Sequence, residues 1–378
     1  MTAIISKPDT DQKLRILSED AQYDLACACG TNKDDRRHRG SGGKWIYPVT
    51  LPNGGKSVIF KTLMSNVCSN DCKYCPLRDN MDVRRCTLSP EEIAKVFLDY
   101  YSRREVFGLF LSSGVIGNPE NTMDRLNTVA KLLRYKYRFR GYIHLKVIPG
   151  SSDAAVTEAV SLASAVSLNI ETAGADNLKK LSDRKDYIKD IIEPIKLIAK
   201  LTGRGMKYSR VKQTTQFIVG AAGEDDSKIV HYMTGLYDRL NMQRIYFSAY
   251  QRGLGDSSLP AENEDTLLDD SLTREHRLYQ VDFLMRKYGF TESEISYDTD
   301  GRLDLTCDPK ETWAKNHPEL FPINPNYASK LQLLRVPGLG PITVARILKA
   351  RQHSRIASID DFSARTKLTE KANTYLTF

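Results

Sequence analysis

Three cysteines stand at the spacing Cys-x3-Cys-x2-Cys in the run Met64-Ser65-Asn66-Val67-Cys68-Ser69-Asn70-Asp71-Cys72-Lys73-Tyr74-Cys75-Pro76. Three thiolates can bind three irons of a [4Fe–4S] cubane. The fourth iron stays open to chelate a further ligand, as an open zinc position does for water. A structural zinc site reads the same residues otherwise, but normally takes four protein ligands. No Cys or His adjoins the trio, and Cys86, eleven residues on, is the residue left to recruit. Three unrelated buried cysteines fit poorly on a loop rich in Asn, Asp and Lys. The open cluster is therefore the favoured reading.

A second chemical feature lies at the other end of the chain. Residues 333–351 read LLRVPGLGPITVARILKAR, with Gly338 and Gly340 between two apolar helical stretches. Glycine permits close backbone approach, and the helix that follows points its first amides outward. That geometry, with Thr343 in the first turn, can cradle a phosphate whatever base it carries. Arg335, Arg346, Lys349, Arg351 and Arg355 surround it, and no Asp or Glu falls between Leu331 and Ile359. A hairpin used only for packing is the plainer alternative. A second basic-aromatic stretch, Arg134 to Arg140, reads as a solvated helix end.

The elements that must hold these residues alternate regularly. Strand-like runs are expected at 57–63, 106–111, 142–148, 165–170, 214–219 and 244–249. Helical stretches are expected at 90–103, 120–135, 152–163, 185–201 and 225–240. Six β-α units in series argue for an α/β fold with a parallel sheet and helices outside it. A partial barrel and an open doubly wound sheet both satisfy that pattern. In either, ligands sit at the C-terminal strand ends, and the cysteines follow the first parallel strand. Ahead of this, residues 1–56 read as a helix over 10–25, a mobile loop over 30–44 and a hairpin turning at Asn53-Gly54-Gly55. The barrel is expected over 57–290, an irregular linker packing on it over 291–330, and a small helical domain over 331–378.

Composition bounds the setting. The chain has 378 residues, 41% hydrophobic, and a net charge of +8. The basic excess points weakly to a polyanionic partner. No apolar run reaches membrane length, the first residues do not form a secretory signal, and seven cysteines with three clustered suggest a reducing cytoplasm.

The cysteine motif, with Tyr74 as the aromatic before its last Cys, resembles that of the radical SAM superfamily. The resemblance covers roughly residues 57–250. It implies a partial (β/α)6 barrel, a [4Fe–4S] cluster and S-adenosylmethionine (SAM) chelated to the open iron. It also implies a one-electron reductant such as flavodoxin or ferredoxin. By the same resemblance, Ser112, Ser113 and Gly114 take the methionine amino group and Lys146 its carboxylate. Asn169 and Glu171 take the ribose, and Ile218 and Gly220 lie against the adenine. Ordinary strand-end turns, a structural lysine and a salt-bridged Glu171 are the alternatives.

The C-terminal pattern resembles the helix-hairpin-helix motif, which implies DNA-binding roles for Arg335, Gly338, Gly340, Thr343, Arg346 and Lys349. RNA or a protein partner are the alternatives. The combination resembles a narrower family of DNA modification/repair radical SAM proteins, in Leu109–Val115, Tyr142–Lys146, Phe217–Glu224 and Trp313–Pro322. The early Tyr23-Asp24-Leu25-x-Cys27 also fits. Thr172-Ala173 stand where that family has Leu-Pro. A lesion-reversing reaction would need a hydrogen donor, for which Cys86 is a candidate, with a small buried hydrophobe as the alternative. Cys27, Cys29, Cys86 and Cys307 are spaced too widely to argue for a second cluster.

Overall fold

The computed structural model describes residues 8–21, 45–50, 55–263, 268–362 and 366–378. The expected mobile loop, Cys27, Cys29 and the Asn53-Gly54 turn lie outside them.

Seven strands form one sheet in sequence order: β1 (Ile46–Thr50), β2 (Lys56–Leu63), β3 (Gly108–Ser112), β4 (Tyr142–Lys146), β5 (Ala165–Ser167), β6 (Lys212–Val219) and β7 (Arg244–Ala249). β1 pairs antiparallel with β2, and β2 to β7 are all parallel. An unbroken 1-to-7 order has no switch point, so the sheet curls in one direction as a partial barrel instead of fanning out doubly wound. The six parallel strands follow the six apolar runs of the sequence to within a few residues.

Alternation divides the strand residues between two faces. Phe60, Leu109, Leu111, Ile143, Leu145, Val166, Phe217, Ile245 and Phe247 are buried on one. The other carries Lys61, Ser112, His144, Ser167, Gln216 and Ser248, also buried. Cross-strand contacts confirm that these residues share a face. His144 Nε2 lies 2.9 Å from Ser167 Oγ, the Lys61 ammonium sits 5.1 Å from the Phe110 ring, and that ring lies 4.4 Å from His144. An ordinary barrel fills its interior with branched aliphatics. Here that face is largely polar instead.

The crossover helices are α2 (Pro90–Ser102), α3 (Pro119–Lys131), α4 (Asp153–Leu162), α5 (Ala175–Leu181), α6 (Glu193–Thr202) and α7 (Asp226–Leu240), and α1 (Thr10–Asp20) packs against β2. Ser89 caps α2 in a capping box with Glu92, and Pro90 opens the helix, as the sequence signalled. The expected helix over 185–201 instead starts as a π-helical turn, Tyr187–Ile192, and becomes α-helical at Glu193. Pro194 has no amide to donate into a preceding turn, which explains the break. α3 likewise ends in a π-helical turn, Leu132–Lys136.

The chain divides into two compact units. The first comprises residues 1–224 and 235–272, the second 225–234 and 273–378. Two further helices, α8 (Pro260–Asn263) and α9 (Leu268–Tyr288), follow β7, and the second unit adds α10 (Pro309–Asn316), α11 (Lys330–Arg335), α12 (Pro341–Ala350) and α13 (Thr366–Asn373). Its core joins Leu333, Leu334, Val336, Leu339, Val344 and Ile347 to Ile323 and Ala328, with Tyr288 and Phe321 packed against it. A boundary at 331 would cut through that core. The stretch around Trp313, read as irregular, contains α10, which Asp308 caps and Pro309 opens.

Candidate functional site

The cysteine loop leaves β2 at Leu63 and runs across the C-terminal end of β3. Gly114 donates its amide to Ser65 O at 2.7 Å, and Ser69 donates to Val115 O at 2.9 Å. A Cβ on Gly114 would stand 2.5 Å from Val67 O and 3.2 Å from the Cys68 Cβ. Glycine is required there so that the end of β3 can pass beneath the first cysteine. Thus Gly114, read from sequence as a ligand contact, first serves packing. Ser112 is buried and paired with Leu63, and the Ser113 hydroxyl turns onto Gly114 O.

Two amides aim at sulfur: Val115 N–H at Cys68 Sγ and Leu77 N–H at Cys75 Sγ, each at 3.4 Å. The three thiols lie within one another's fields. Burial, above all, pushes the Cys72 thiol up, and burial together with Cys72 pushes Cys75 up to about 12. Free, Cys72 and Cys75 hold their protons, and metal must displace them. Among the described residues, no three Cys, His, Asp or Glu side chains converge as ligands of one ion would. A donor set of three thiols with amides directed at two of them fits the corners of an iron–sulfur cluster better than a single tetrahedral ion.

Segments remote in sequence hold this loop. Asp71 accepts the Ser182 hydroxyl and the Asp183 amide, the latter at 2.8 Å. Lys73 donates its amide to Leu181 O at 2.8 Å, and its ammonium pairs with Asp183 at 3.2 Å. Arg184 reaches Ser69 O and Asp79. On another side the segment after β7 lies on the loop, with Asp256 N–H on Lys73 O at 2.8 Å and Arg78 on Leu254 O at 3.2 Å. The Tyr250 hydroxyl there donates to Glu262, which also takes the Gly253 amide. Within the loop, the Arg85 guanidinium gathers the carbonyls of Asn66, Leu77, Arg78 and Met81.

The strap at residues 181–185 delivers Lys185, which the sequence reading did not single out. Lys185 pairs with Glu171 at 3.2 Å, and the two side chains are 6% and 5% exposed. Its ammonium also lies within the field of Cys72, and the Tyr74 phenol within that of Glu171. Burial opposes the charge on Lys185, but Cys72 and Glu171 outweigh it and hold the ammonium well above its ordinary value. Burial and Glu171 push the Tyr74 phenol well up. Asn169 reaches the other Glu171 carboxylate oxygen at 3.4 Å, so the two residues expected at the ribose lie together, with Lys185 on the first oxygen.

Glu171 itself has φ of 67°. That left-handed conformation is uncommon for a non-glycine residue and collects at functional sites. Two bridging hydrogen bonds hold it against β6: its N–H to Gln216 O at 3.1 Å, and Ile218 N–H to its carbonyl at 2.7 Å. The next hydroxyl, Thr172 Oγ1, is buried without a hydrogen-bond partner among the described residues.

The other expected contacts divide. Lys146 ends β4 in register with Ser167. Ile218 is buried, and Gly220 has φ of 92° and gives its amide to Glu224 at 2.6 Å. Cys86 is not brought to the trio. Its amide bonds to Asn66, its thiol lies 3.8 Å from Lys13 O on the α1 side, and its nearest charges are Asp20, Lys13, Arg84 and Glu92.

In the second unit, Gly338 (φ 85°) and Gly340 turn the chain from α11 into α12. No side chain caps α12, so its first amides stay open, and Thr343, Arg346 and Lys349 lie in α12, the latter two exposed. Arg335 points elsewhere. It stacks 3.6 Å above the Phe290 ring and pairs with Glu294 at 2.7 Å, which removes it from the expected phosphate contacts. Arg351 likewise donates to Pro325 O and Ala328 O, and Arg134 to Leu162 O, Phe139 O and Gly141 O.

Residues 62–234 match the family model described as Radical SAM superfamily, a span that begins within β2 and takes in the cysteine loop, Glu171 and Lys185. The chain carries a radical SAM domain. Members of this superfamily are enzymes that use a [4Fe–4S] cluster and SAM. Among solved structures, the chain is similar to the [FeFe]-hydrogenase maturase HydG from Carboxydothermus hydrogenoformans, at 13% identity and TM-score 0.45 over 58% of this chain and 50% of that one. Methylornithine synthase (PylB) aligns at 15% identity and TM-score 0.45, over 58% of this chain and 61% of its own. The chain thus spans 50% and 61% of the length of these two proteins, less than two thirds of either. A comparison with curated proteins gave no match. No helix among the described residues is long and apolar enough to cross a membrane.

Proposed function

We propose that this protein is a cytoplasmic radical SAM enzyme acting on a DNA base or base adduct, in modification or repair. Cys68, Cys72 and Cys75 would hold the cluster. Bound at the open iron, SAM supplies, on one-electron reduction, methionine and a 5′-deoxyadenosyl radical able to abstract hydrogen. Ser112, Ser113 and Lys146 would face the methionine end and Asn169 and Glu171 the ribose, with Ile218 and Gly220 flanking the adenine. The buried polar face of the sheet, with Lys61, His144 and Gln216, would orient the substrate and exclude bulk water.

The observation that carries the DNA reading is α12. Its N-cap, Gly340, has no side-chain cap, and the same helix carries exposed Arg346 at its middle and Lys349 in its last turn. Open amides and cations together are what phosphate binding without base preference requires. A base inside a duplex must be unpaired or flipped to reach a buried radical. A flavodoxin or ferredoxin would supply the electron.

The test is anaerobic reconstitution with iron and sulfide, then dithionite, SAM and deuterated DNA. The expected result is four irons per chain and 5′-deoxyadenosine that carries deuterium from the DNA. Deuterium-free 5′-deoxyadenosine at a rate indifferent to DNA would replace this reading with RNA or a small molecule as substrate. Four irons without 5′-deoxyadenosine would leave a non-enzymatic iron–sulfur protein. Nucleoside mass spectrometry of DNA from cells with and without the gene then separates modification from repair.

A further inference from the structure

Lys185 is a buried cation paired with Glu171 at 3.2 Å, on a segment fastened to Asp71 and Lys73, the two neighbours of Cys72 in the chain, and Cys72 and Glu171 differ in kind. One belongs to the electron-accepting centre. The other stands at the position proposed for the SAM ribose. An ammonium withdrawn this far from water costs several kcal/mol unless both partners compensate it. It is also held in place: its segment is fastened to the cysteine loop through Asp71, Lys73 and Ser69.

We propose that Lys185 is a positioning residue that sets the reduction potential of the cluster through Cys72, and that Glu171 governs how fully it does so. Hydrogen bonds and charge at the sulfurs set the potentials of iron–sulfur clusters. A cation at Cys72 favours the reduced, more negative state. With Glu171 bonded to Lys185, that influence is shared. When ribose hydroxyls take Glu171, the ammonium turns towards Cys72 and reduction becomes easier. Occupancy of the SAM site is thereby linked to electron uptake. The inference rests on the cluster reading of Cys68, Cys72 and Cys75.

The experiment is a potentiometric titration of the reconstituted full chain, followed by electron paramagnetic resonance, with iron content measured beforehand. Lys185→Gln should lower the reduced fraction about tenfold in equilibrium terms, which for one electron is about 59 mV. Lys185→Arg should keep the wild-type potential. Glu171→Gln should shift it the opposite way, and that shift should shrink in the Lys185→Gln background, as coupled residues require. Loaded clusters with one unchanged potential across these variants would overturn the inference and leave the cluster reading intact. If Lys185→Gln loads no cluster, the sign of the Glu171→Gln shift decides: upward supports the inference, none overturns it. Wild-type protein that binds no four-iron cluster would overturn the cysteine assignment, and this inference with it.

Discussion

Between Leu63 and Pro90 the cysteine loop contains no helix or strand, and its shape comes from segments far away in the chain. Asp71, Lys73 and Ser69 are fastened to residues 181–184, and Lys73 O and Arg78 to residues 254–256. The C-terminal helices are the reverse. Ser329 caps α11 in a capping box with Gln332, Gly338 makes the turn, and the apolar faces of α11 and α12 meet across it. One region has a legible motif and a shape imposed from elsewhere. The other writes its shape into its own residues. Substitutions should therefore act at long range in the first and locally in the second.

The largest effect is expected at the cysteines. Changing Cys68, Cys72 or Cys75 to Ala should drop iron from about four per chain to near none and abolish 5′-deoxyadenosine, while thermal unfolding of the helical unit stays unchanged. Gly338→Ala comes next. Its Cβ would stand 2.2 Å from Leu368 O at a φ of 85°. Urea unfolding should show a loss of about 1–3 kcal/mol for the second unit, with iron content unaffected.

Asp71→Ala tests the strap. The hydrogen bonds from Ser182 and the Asp183 amide hold the Asp71 carboxyl below its usual range despite partial burial. The fastening is therefore complete at neutral pH and is lost as pH falls below that range. The variant should lose about 1–3 kcal/mol locally, read as faster amide exchange at 68–79 and faster iron loss to a chelator.

Lys310 gives a smaller effect in the other unit. It donates to Leu339 O at 2.6 Å, and burial pushes its ammonium down to about 7. The unfolded chain then binds more protons between pH 7 and about 10.5, so stability should rise with pH across that window. In Lys310→Met the melting profile should flatten there. Smallest are Arg346→Gln and Lys349→Gln. Each should weaken oligonucleotide binding a few-fold at low salt and reduce the salt slope by about one. Anisotropy titrations that show no change would remove α12 from any phosphate contact.

The parallel strands were legible because both faces of each are filled, one apolar and one polar. The cysteine motif was legible because its residues are neighbours in sequence. α5 was missed because seven residues give too little periodicity, and the break before α6 was missed although Pro194 signals it. Lys185 sits in the polar run Ser182-Asp183-Arg184-Lys185-Asp186, which reads as solvent-facing until the cysteine loop is laid upon it. The surroundings of Arg335 and Cys86 were illegible for a related reason. Their partners, Glu294 with Phe290 and Asn66 with Lys13, are set by tertiary contacts, and basic charge or a nearby thiol says nothing about which way a side chain turns.

The arrangement after β7 also carries a temporal meaning. Gly255 lies so close to the Tyr250 hydroxyl and Lys73 O that a Cβ there would stand 1.9 Å and 3.0 Å from them. That contact can form only once the last strand of the sheet exists. During synthesis the three cysteines leave the ribosome long before residues 181–185 and 250–256. The nascent chain therefore presents the cysteine loop before the segments that hold it exist, and the fastened loop belongs to the finished barrel.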